Sequence, residues 1–304
     1  LNQRVIIIGG SGFVGQELAL SLSKKNIVTM LTTRSREKVK TLESIDPNIK
    51  PVYMPEFTKL TLSNLLKDLN VNDVVINLVG VLHSRKGVPY GPEFQEAHIE
   101  IPRMIIDVMH QYGLKRYLHM SSLGADVNGP SMYLRSKGFA EDLVKNSGLD
   151  WTIFRPSVIF GAKDNFINMF AKMQKFIPVM PLAGSNNLFQ PVAVGDVSTA
   201  FLKSMMMPET IHQSYDLAGP DVLTLGQIVQ FSASTVGVKR PVISLPSWVG
   251  YIQAMLLENL PGPTIMSRDN VDSMKVPSVL ANPKYNVLSD VFQISPTPLS
   301  SLLK

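Results

Sequence analysis

An aliphatic run at 5–8 leads straight into Gly9-Gly10-Ser11-Gly12-Phe13-Val14-Gly15, and a segment with one apolar face follows at 13–23. That succession constrains the chain more than any other feature. Glycines at this spacing between a strand and a helix serve three needs. Gly9 or Gly10 permits the tight turn, Gly12 lets the backbone approach an anion, and Gly15 lets the helix lie close on the strand. The amides of Phe13 and Val14 open the helix, where unpaired N–H groups and the positive end of the dipole favour a phosphate. The competing reading is a glycine-rich turn with no ligand. The strand before it and the helix after it favour a dinucleotide pyrophosphate.

The rhythm continues. Runs rich in β-branched residues at 27–33, 51–54, 73–79, 116–121 and 151–154 alternate with amphipathic segments at 59–69, 94–112 and 132–145. This predicts an α/β fold: a Rossmann doubly wound parallel sheet with helices on both faces. After Arg155, prolines punctuate shorter elements. Residues 1–155 are therefore expected to form the nucleotide-binding domain, and 156–304 a smaller mixed lobe with some segments returning to the sheet. The stretch 80–92, with three glycines and two prolines, is expected to be a mobile loop beside the ligand crevice.

Composition removes several alternatives. With 304 residues, 45% of them hydrophobic, the chain can bury a large core. It has no cysteine, which excludes disulfides and thiolate metal sites. The net charge of +5 is scattered, which argues against nucleic acid as a partner. The five histidines show neither an i, i+4 pair nor a ligand cluster, so packing or surface roles are expected rather than metal binding. No apolar stretch reaches the roughly 20 residues of a membrane span. The best, 248–257, is apolar around much of a helical circumference, which predicts burial in the second lobe more than a docking surface. A cytoplasmic location is expected, with peripheral attachment at the inner face of a membrane as its variant.

An NAD-preferring site ends its second strand with a carboxylate for the ribose hydroxyls, whereas this chain reads Thr32-Thr33-Arg34-Ser35-Arg36. Arg34 is placed to meet a ribose 2′-phosphate, with Ser35, Arg36 or Thr33 as secondary donors, so NADP(H) is preferred over NAD(H). The alternative is that both arginines are solvated charges opening the next helix. Further on, the fifth strand ends in Ser121-Ser122, and Tyr133 and Lys137 share one helical face. An ammonium beside a phenol favours the phenolate and brings tyrosine toward the range of an acid/base catalyst. Ser122, Tyr133 and Lys137 are the expected catalytic residues, with Ser122 on a substrate carbonyl or alcohol.

Taken in order, the glycine turn, Ser122, Tyr133-Leu134-Arg135-Ser136-Lys137 and Phe154-Arg155-Pro156 resemble the extended and atypical short-chain dehydrogenase/reductases, which are NAD-dependent epimerase/dehydratase-like. More narrowly, several segments are similar to the bacterial relatives of the nucleotide-binding accessory subunit of mitochondrial complex I. They are Asn77-Leu78-Val79-Gly80, the Tyr133 to Lys137 segment, Phe189-Gln190-Pro191-Val192 with Asp196-Val197, and Leu260-Pro261-Gly262-Pro263 followed by Arg268-Asp269-Asn270-Val271. The resemblance implies an NADP(H) site at Gly9, Gly12, Gly15, Arg34, Asn77, Tyr133, Lys137 and Pro156, with Val79 and Gly80 beside it. It also implies an oxidoreductase moving hydride to or from a small carbonyl, alcohol or quinone-related substrate. The rival it implies is a non-catalytic accessory or assembly protein of a respiratory NADH:quinone oxidoreductase, with a respiratory-complex or membrane-surface partner on the C-terminal lobe. An epimerase or dehydratase with tightly held NAD fits less well, because the acidic residue after the second strand is missing. Two positions depart from the family. The asparagine that supports a proton relay in typical members falls at His98, and Met54-Pro55-Glu56-Phe57 replaces the aspartate near the adenine ring. Substrate contacts are expected from the lobe after Arg155, with Asn165, Phe166 and Phe189 as candidates.

Overall fold

Strands buried on both faces need helices on both sides, and the chain supplies them in alternation. The computed structural model describes residues 3–259, 264 and 266–303. Strands β1 (Val5–Ile8), β2 (Thr29–Thr33), β3 (Ile49–Tyr53), β4 (Val74–Asn77), β5 (Arg116–Met120) and β6 (Asp150–Pro156) alternate with α1 (Phe13–Ser23), α2 (Arg36–Glu43), α3 (Lys59–Leu66), α4 (Pro92–Phe94), α5 (Ile101–Gln111) and α6 (Met132–Lys145). Beyond β6, β7 (Ile159–Phe160) pairs with β10 (Val192–Ala193), β8 (Met180–Ala183) with β13 (Val242–Leu245), and β9 (Leu188–Phe189) with β12 (Leu223–Thr224). The remaining strand, β11 (Gln213–Leu217), returns to the main sheet beside β6. The helices there are α7 (Phe166–Phe176), α8 (Val194–Ser204), α9 (Leu225–Ser234), α10 (Ser247–Leu257) and α11 (Arg268–Ser273).

The seven-stranded parallel sheet runs β11-β6-β5-β4-β1-β2-β3, a Rossmann-like α/β fold. The pleat divides its side chains. Val5, Ile7, Val74 and Ile76 join α1 and α8 in one core, while Ile6, Ile8 and Val75 join α3 and α5 in the other. A third core lies in the C-terminal half between α7, α9 and β8. Strand order reverses between β1 and β4, and ligands of open α/β sheets bind at such a point, beyond the carboxyl ends.

Differences from the expected elements have local causes. The second strand starts at Thr29 rather than at 27, because the Ile27 amide turns back to the Leu22 carbonyl (3.1 Å) and closes α1. The helix expected at 94–112 is interrupted by a π-turn, Gln95–Glu100, centred on the His98 region. Helix α2 buries only Leu42, so it has no apolar stripe to announce it. Helix α10 is not core: Trp248 is 67% exposed and Leu256 62%. Leu260-Pro261-Gly262-Pro263 lie outside the described residues.

One ion cluster fixes α6 against the sheet. Glu141, buried on α6, accepts from Ser121 Oγ (2.7 Å), Arg155 Nε (2.7 Å) and Lys145 Nζ (3.0 Å). Its pKa is raised by burial and lowered by Arg155, Ser121 and Lys145, and the net direction is down. Removing one partner of such a pair leaves an uncompensated buried charge. Glu141→Ala should therefore cost about 3 kcal/mol or more in urea unfolding. Adding Arg155→Met should recover part of that loss, and a double variant no more stable than the single one would contradict the assignment.

Candidate functional site

The glycine turn is built as its spacing requires. Gly9 takes φ +80°, and its amide donates to Thr32 Oγ1 (2.9 Å) on the neighbouring strand. A Cβ on Gly15 would meet the Gly10 carbonyl oxygen at 2.3 Å, a backbone contact that cannot give way. Gly12 has room, with its nearest neighbour, the Gly9 oxygen, 3.5 Å from a built Cβ. Helices α2, α3 and α6 are capped by Ser35, Thr58 and Ser131, whereas α1 has Gly12 at its N-cap, no side-chain cap and no acidic residue in its first turn. This cradle suits the pyrophosphate of a dinucleotide: no side chain stands at Gly12, and the first-turn amides of α1 are left without a side-chain cap. Val14 is buried behind it, and the half-buried Phe13 packs at Gly161.

At the end of β2, Arg34 is exposed. Ser35 caps α2 by accepting from the Lys38 amide (3.3 Å), and the Arg36 guanidinium lies over the Tyr53 ring, 4.8 Å from its centroid. Sequence reasoning missed Lys38, whose Nζ reaches the Ser11 carbonyl (3.4 Å) in the glycine turn. Its position in the first turn of α2 was the available signal.

Across the strand-order reversal, a Cβ on Gly9 would lie 3.0 Å from the Val79 amide nitrogen, so the two crossover turns touch. Asn77 is fully buried: its Oδ1 accepts from that amide (3.0 Å) and its Nδ2 faces His119 Nδ1 (3.3 Å). The Asn77 side chain thus shapes the turn from beneath. Gly80 is exposed, and a Cβ there would sit 3.4 Å from Lys137 Nζ and 3.6 Å from His98 Nε2. Pro156 is buried at the end of β6, its carbonyl accepting from Leu123 (3.0 Å).

Helix α6 brings Tyr133 and Lys137 alongside this turn. Lys137, 3% exposed, donates to the Met120 carbonyl (3.2 Å). Burial draws its ammonium down to about 8, and Glu141 one turn further pulls it back upward. Tyr133 packs edge-on against His98 (5.7 Å) and Phe94 (5.9 Å). Burial pushes its phenol up, and neighbouring Ser122 lowers it in part. Ser122 Oγ is buried with no hydrogen-bond partner among the described residues, a polar atom that a bound group can satisfy.

Two histidines join them. His98 Nε2 accepts from the Val81 amide (3.2 Å), so its proton sits on Nδ1, which meets Ser136 Oγ (2.8 Å). Burial, then the charge of Lys137, holds both His98 and His119 well below the usual imidazole range, His119 at about 3. The sequence marks His98 only as a departure at the family's asparagine position and gives His119 no role, and the fold gathers both around Lys137.

The C-terminal half reaches the site through α11. Asp269, buried, accepts from the Met132 amide (2.6 Å) and the Tyr133 amide (3.0 Å), capping α6 from outside. The stretch 80–92, expected to be mobile, is tied down. Arg85 pairs with Glu93 (2.6 Å), Arg135 Nε donates to the Pro89 carbonyl (2.8 Å), and Asn270 Nδ2 to the Leu82 carbonyl (3.3 Å). Of the expected substrate residues, Phe189 is buried in the third core, Phe166 packs on it at 6.3 Å, and Asn165 is the N-cap residue of α7.

A family described as NAD(P)H-binding matches residues 9–170, a span that includes the glycine turn, Ser122, Tyr133 and Lys137. The chain belongs to this NAD(P)H-binding family. The mitochondrial NADH dehydrogenase (ubiquinone) 1 alpha subcomplex subunit 9 of Arabidopsis thaliana is 26% identical over 289 residues, covering 91% of this chain and 70% of that one. The subunit of the same name in Rattus norvegicus is 26% identical over 301 residues, covering 96% and 76%. The resemblance to the complex I accessory subunit is borne out by these relatives. A nucleoside-diphosphate-sugar epimerase from Staphylococcus aureus superposes with a TM-score of 0.75 at 14% identity over 99% of this chain and 100% of that one. The UDP-glucose 4-epimerase of Thermus thermophilus, solved with NAD, has a TM-score of 0.68 at 17% identity over 90% and 99%. These two show the fold. Nicotinamide-nucleotide binding follows from membership of the family.

The buried Lys137 carries a pH signature. Between about 8 and the ordinary 10.5, the unfolded chain holds the Lys137 proton and the folded chain does not, so stability rises with pH across that window. Below it the folded protein bears the cost of a buried ammonium, about 3 kcal/mol. Relative to Lys137→Met, the wild-type chain without nucleotide should gain about 2 to 3 kcal/mol of unfolding free energy between pH 8 and pH 10. A flat difference would show that the ammonium is solvated.

Proposed function

We propose that this chain is an NADP(H)-dependent oxidoreductase of the short-chain dehydrogenase/reductase type, acting on a small carbonyl, alcohol or quinone-related substrate. One observation carries the reading. The buried Ser122 hydroxyl, without a hydrogen-bond partner among the described residues, lies beside the Tyr133 phenol, which is one helical turn from Lys137. NADP(H), when bound, supplies or accepts the hydride. In the reducing direction, Ser122 holds the substrate oxygen and Tyr133 gives it a proton. A phenol kept protonated by burial is suited to that donation. Lys137, with one acceptor among the described residues for its three donors, is available to the nicotinamide ribose. The exposed Arg34, with Lys38 near the glycine turn, supports preference for a 2′-phosphate, since no carboxylate stands at the end of β2.

A second reading is favoured by the relatives named as subunits of NADH dehydrogenase, whose likeness extends over nearly the whole chain. In it the nucleotide stabilises the fold by binding only the native form, and the protein serves a respiratory complex without turnover.

Tyr133→Phe separates the two. A reductase should keep its NADP(H) affinity within a few-fold and lose about 100-fold or more in turnover. An accessory protein should show no Tyr133-dependent rate on a panel of ketones, alcohols and quinones, and should lose complex assembly with Gly12→Val but not with Tyr133→Phe. Cofactor choice is read by titration. Arg34→Ala should weaken NADP(H) by about 1.5 to 3 kcal/mol and leave NAD(H) unchanged. Equal losses for both nucleotides contradict the 2′-phosphate assignment.

A further inference from the structure

Two buried side chains hold residues 79–81, the turn that leaves β4. Asn77 Oδ1 accepts from the Val79 amide (3.0 Å), and His98 Nε2 accepts from the Val81 amide (3.2 Å). Gly80 lies between them, exposed, and its amide meets no acceptor among the described residues. A Cβ built on it falls 3.4 Å from Lys137 Nζ and 3.6 Å from His98 Nε2, so the turn lies against both. The turn is thus pinned on either side of the one residue it presents to the site.

The second pin is a relay of directed bonds. His98 sits on the π-turn Gln95–Glu100, buried, with its ring stacked on Phe94 (5.3 Å between centroids, planes 20° apart) and edge-on to Tyr133. Its Nδ1–H donates to Ser136 Oγ (2.8 Å), and the fully buried Ser136 hydroxyl donates to the Tyr133 carbonyl (2.8 Å). Three bonds therefore run in one direction, from the Val81 amide through imidazole and serine into α6. They require a neutral ring with its proton on Nδ1, because an imidazolium has no acceptor to offer Val81. Burial, then the charge of Lys137, keeps the ring in that state. A neutral imidazole has one donor and one acceptor, and both are used, so nothing remains with which His98 could bind nucleotide or take a proton. What the ring can do is place other groups.

We propose that His98 is a positioning residue for the nicotinamide half of the nucleotide, tying the 79–81 turn to α6 so that Gly80 is held beside Lys137. This rests on the reading that puts the nicotinamide ribose at Lys137. The test is calorimetric titration with ADP, which carries the adenosine and diphosphate alone, and with whichever of NADPH and NADH binds the wild-type chain more tightly. His98→Phe keeps an aromatic ring on Phe94 and deletes both hydrogen bonds. It should weaken the dinucleotide by about tenfold, the scale of a lost hydrogen bond, and leave ADP within about twofold. His98→Gln, which carries a donor and an acceptor on one planar group, should restore most of the loss. Equal losses for the dinucleotide and ADP would show a general role in stability, and an unchanged dinucleotide affinity would show no role, and either overturns the proposal. A wild-type chain that binds neither dinucleotide more tightly than ADP would instead contradict the ribose placement beneath it. The bond pattern is checked in the wild-type chain by nitrogen NMR of the imidazoles, with His98→Gln assigning the signals. The neutral Nδ1–H tautomer is expected at His98, and an Nε2–H tautomer, which cannot accept from Val81, overturns the proposal without any variant having to fold.

Discussion

Two stretches of backbone touch where α1 leaves the first strand, and the rest of the site depends on that contact. Gly15 on the first turn of α1 presses against Gly10, and any side chain there would collide with the Gly10 carbonyl. The contact sets the open end of the helix above the carboxyl end of β1, where the strand order reverses. From the same place Gly9 reaches Thr32 on β2 and comes against Val79 after β4. A larger residue at position 15 would lift the helix away and take its amides out of register with both neighbouring turns.

The second half of the site is held by groups that never face the crevice. Helix α6 is fixed at its first turn by Asp269 and along its length by Glu141, one reaching in from α11 and the other joining Arg155 on β6. Between these anchors Tyr133 and Lys137 have little freedom. The same burial that orders them makes charge scarce, and Lys137, His98 and His119 compete for it. Both imidazoles yield, each held neutral partly by the charge of Lys137. A single cation is thereby kept beside Gly80 and the phenol.

Much of this was legible in the sequence, for identifiable reasons. The bounds of α1 and α6 follow directly from their apolar stripes and from the glycine or serine at their N-caps. The strands were legible as runs buried on both faces. Helix α2 was not, because a helix that buries one leucine has no periodicity to read. The split of the helix at 94–112 was hidden because a π-turn shifts the hydrogen-bond partner without changing residue types. The Asp269 cap joins positions 136 and 137 residues apart, a pairing that no local pattern encodes. Exposure of α10 was misjudged because an apolar helix looks the same in sequence whether its second face meets protein or solvent.

We propose that the glycine turn, the turn around Gly80 and the first turn of α6 with Tyr133 together hold the nicotinamide nucleotide. Hydrogen–deuterium exchange with and without saturating NADPH tests it most directly. The account predicts slower exchange at residues 9–16, at 78–82 and in the first turn of α6, with α10 unchanged. Slowing confined to the C-terminal half, or none at 9–16, would contradict it.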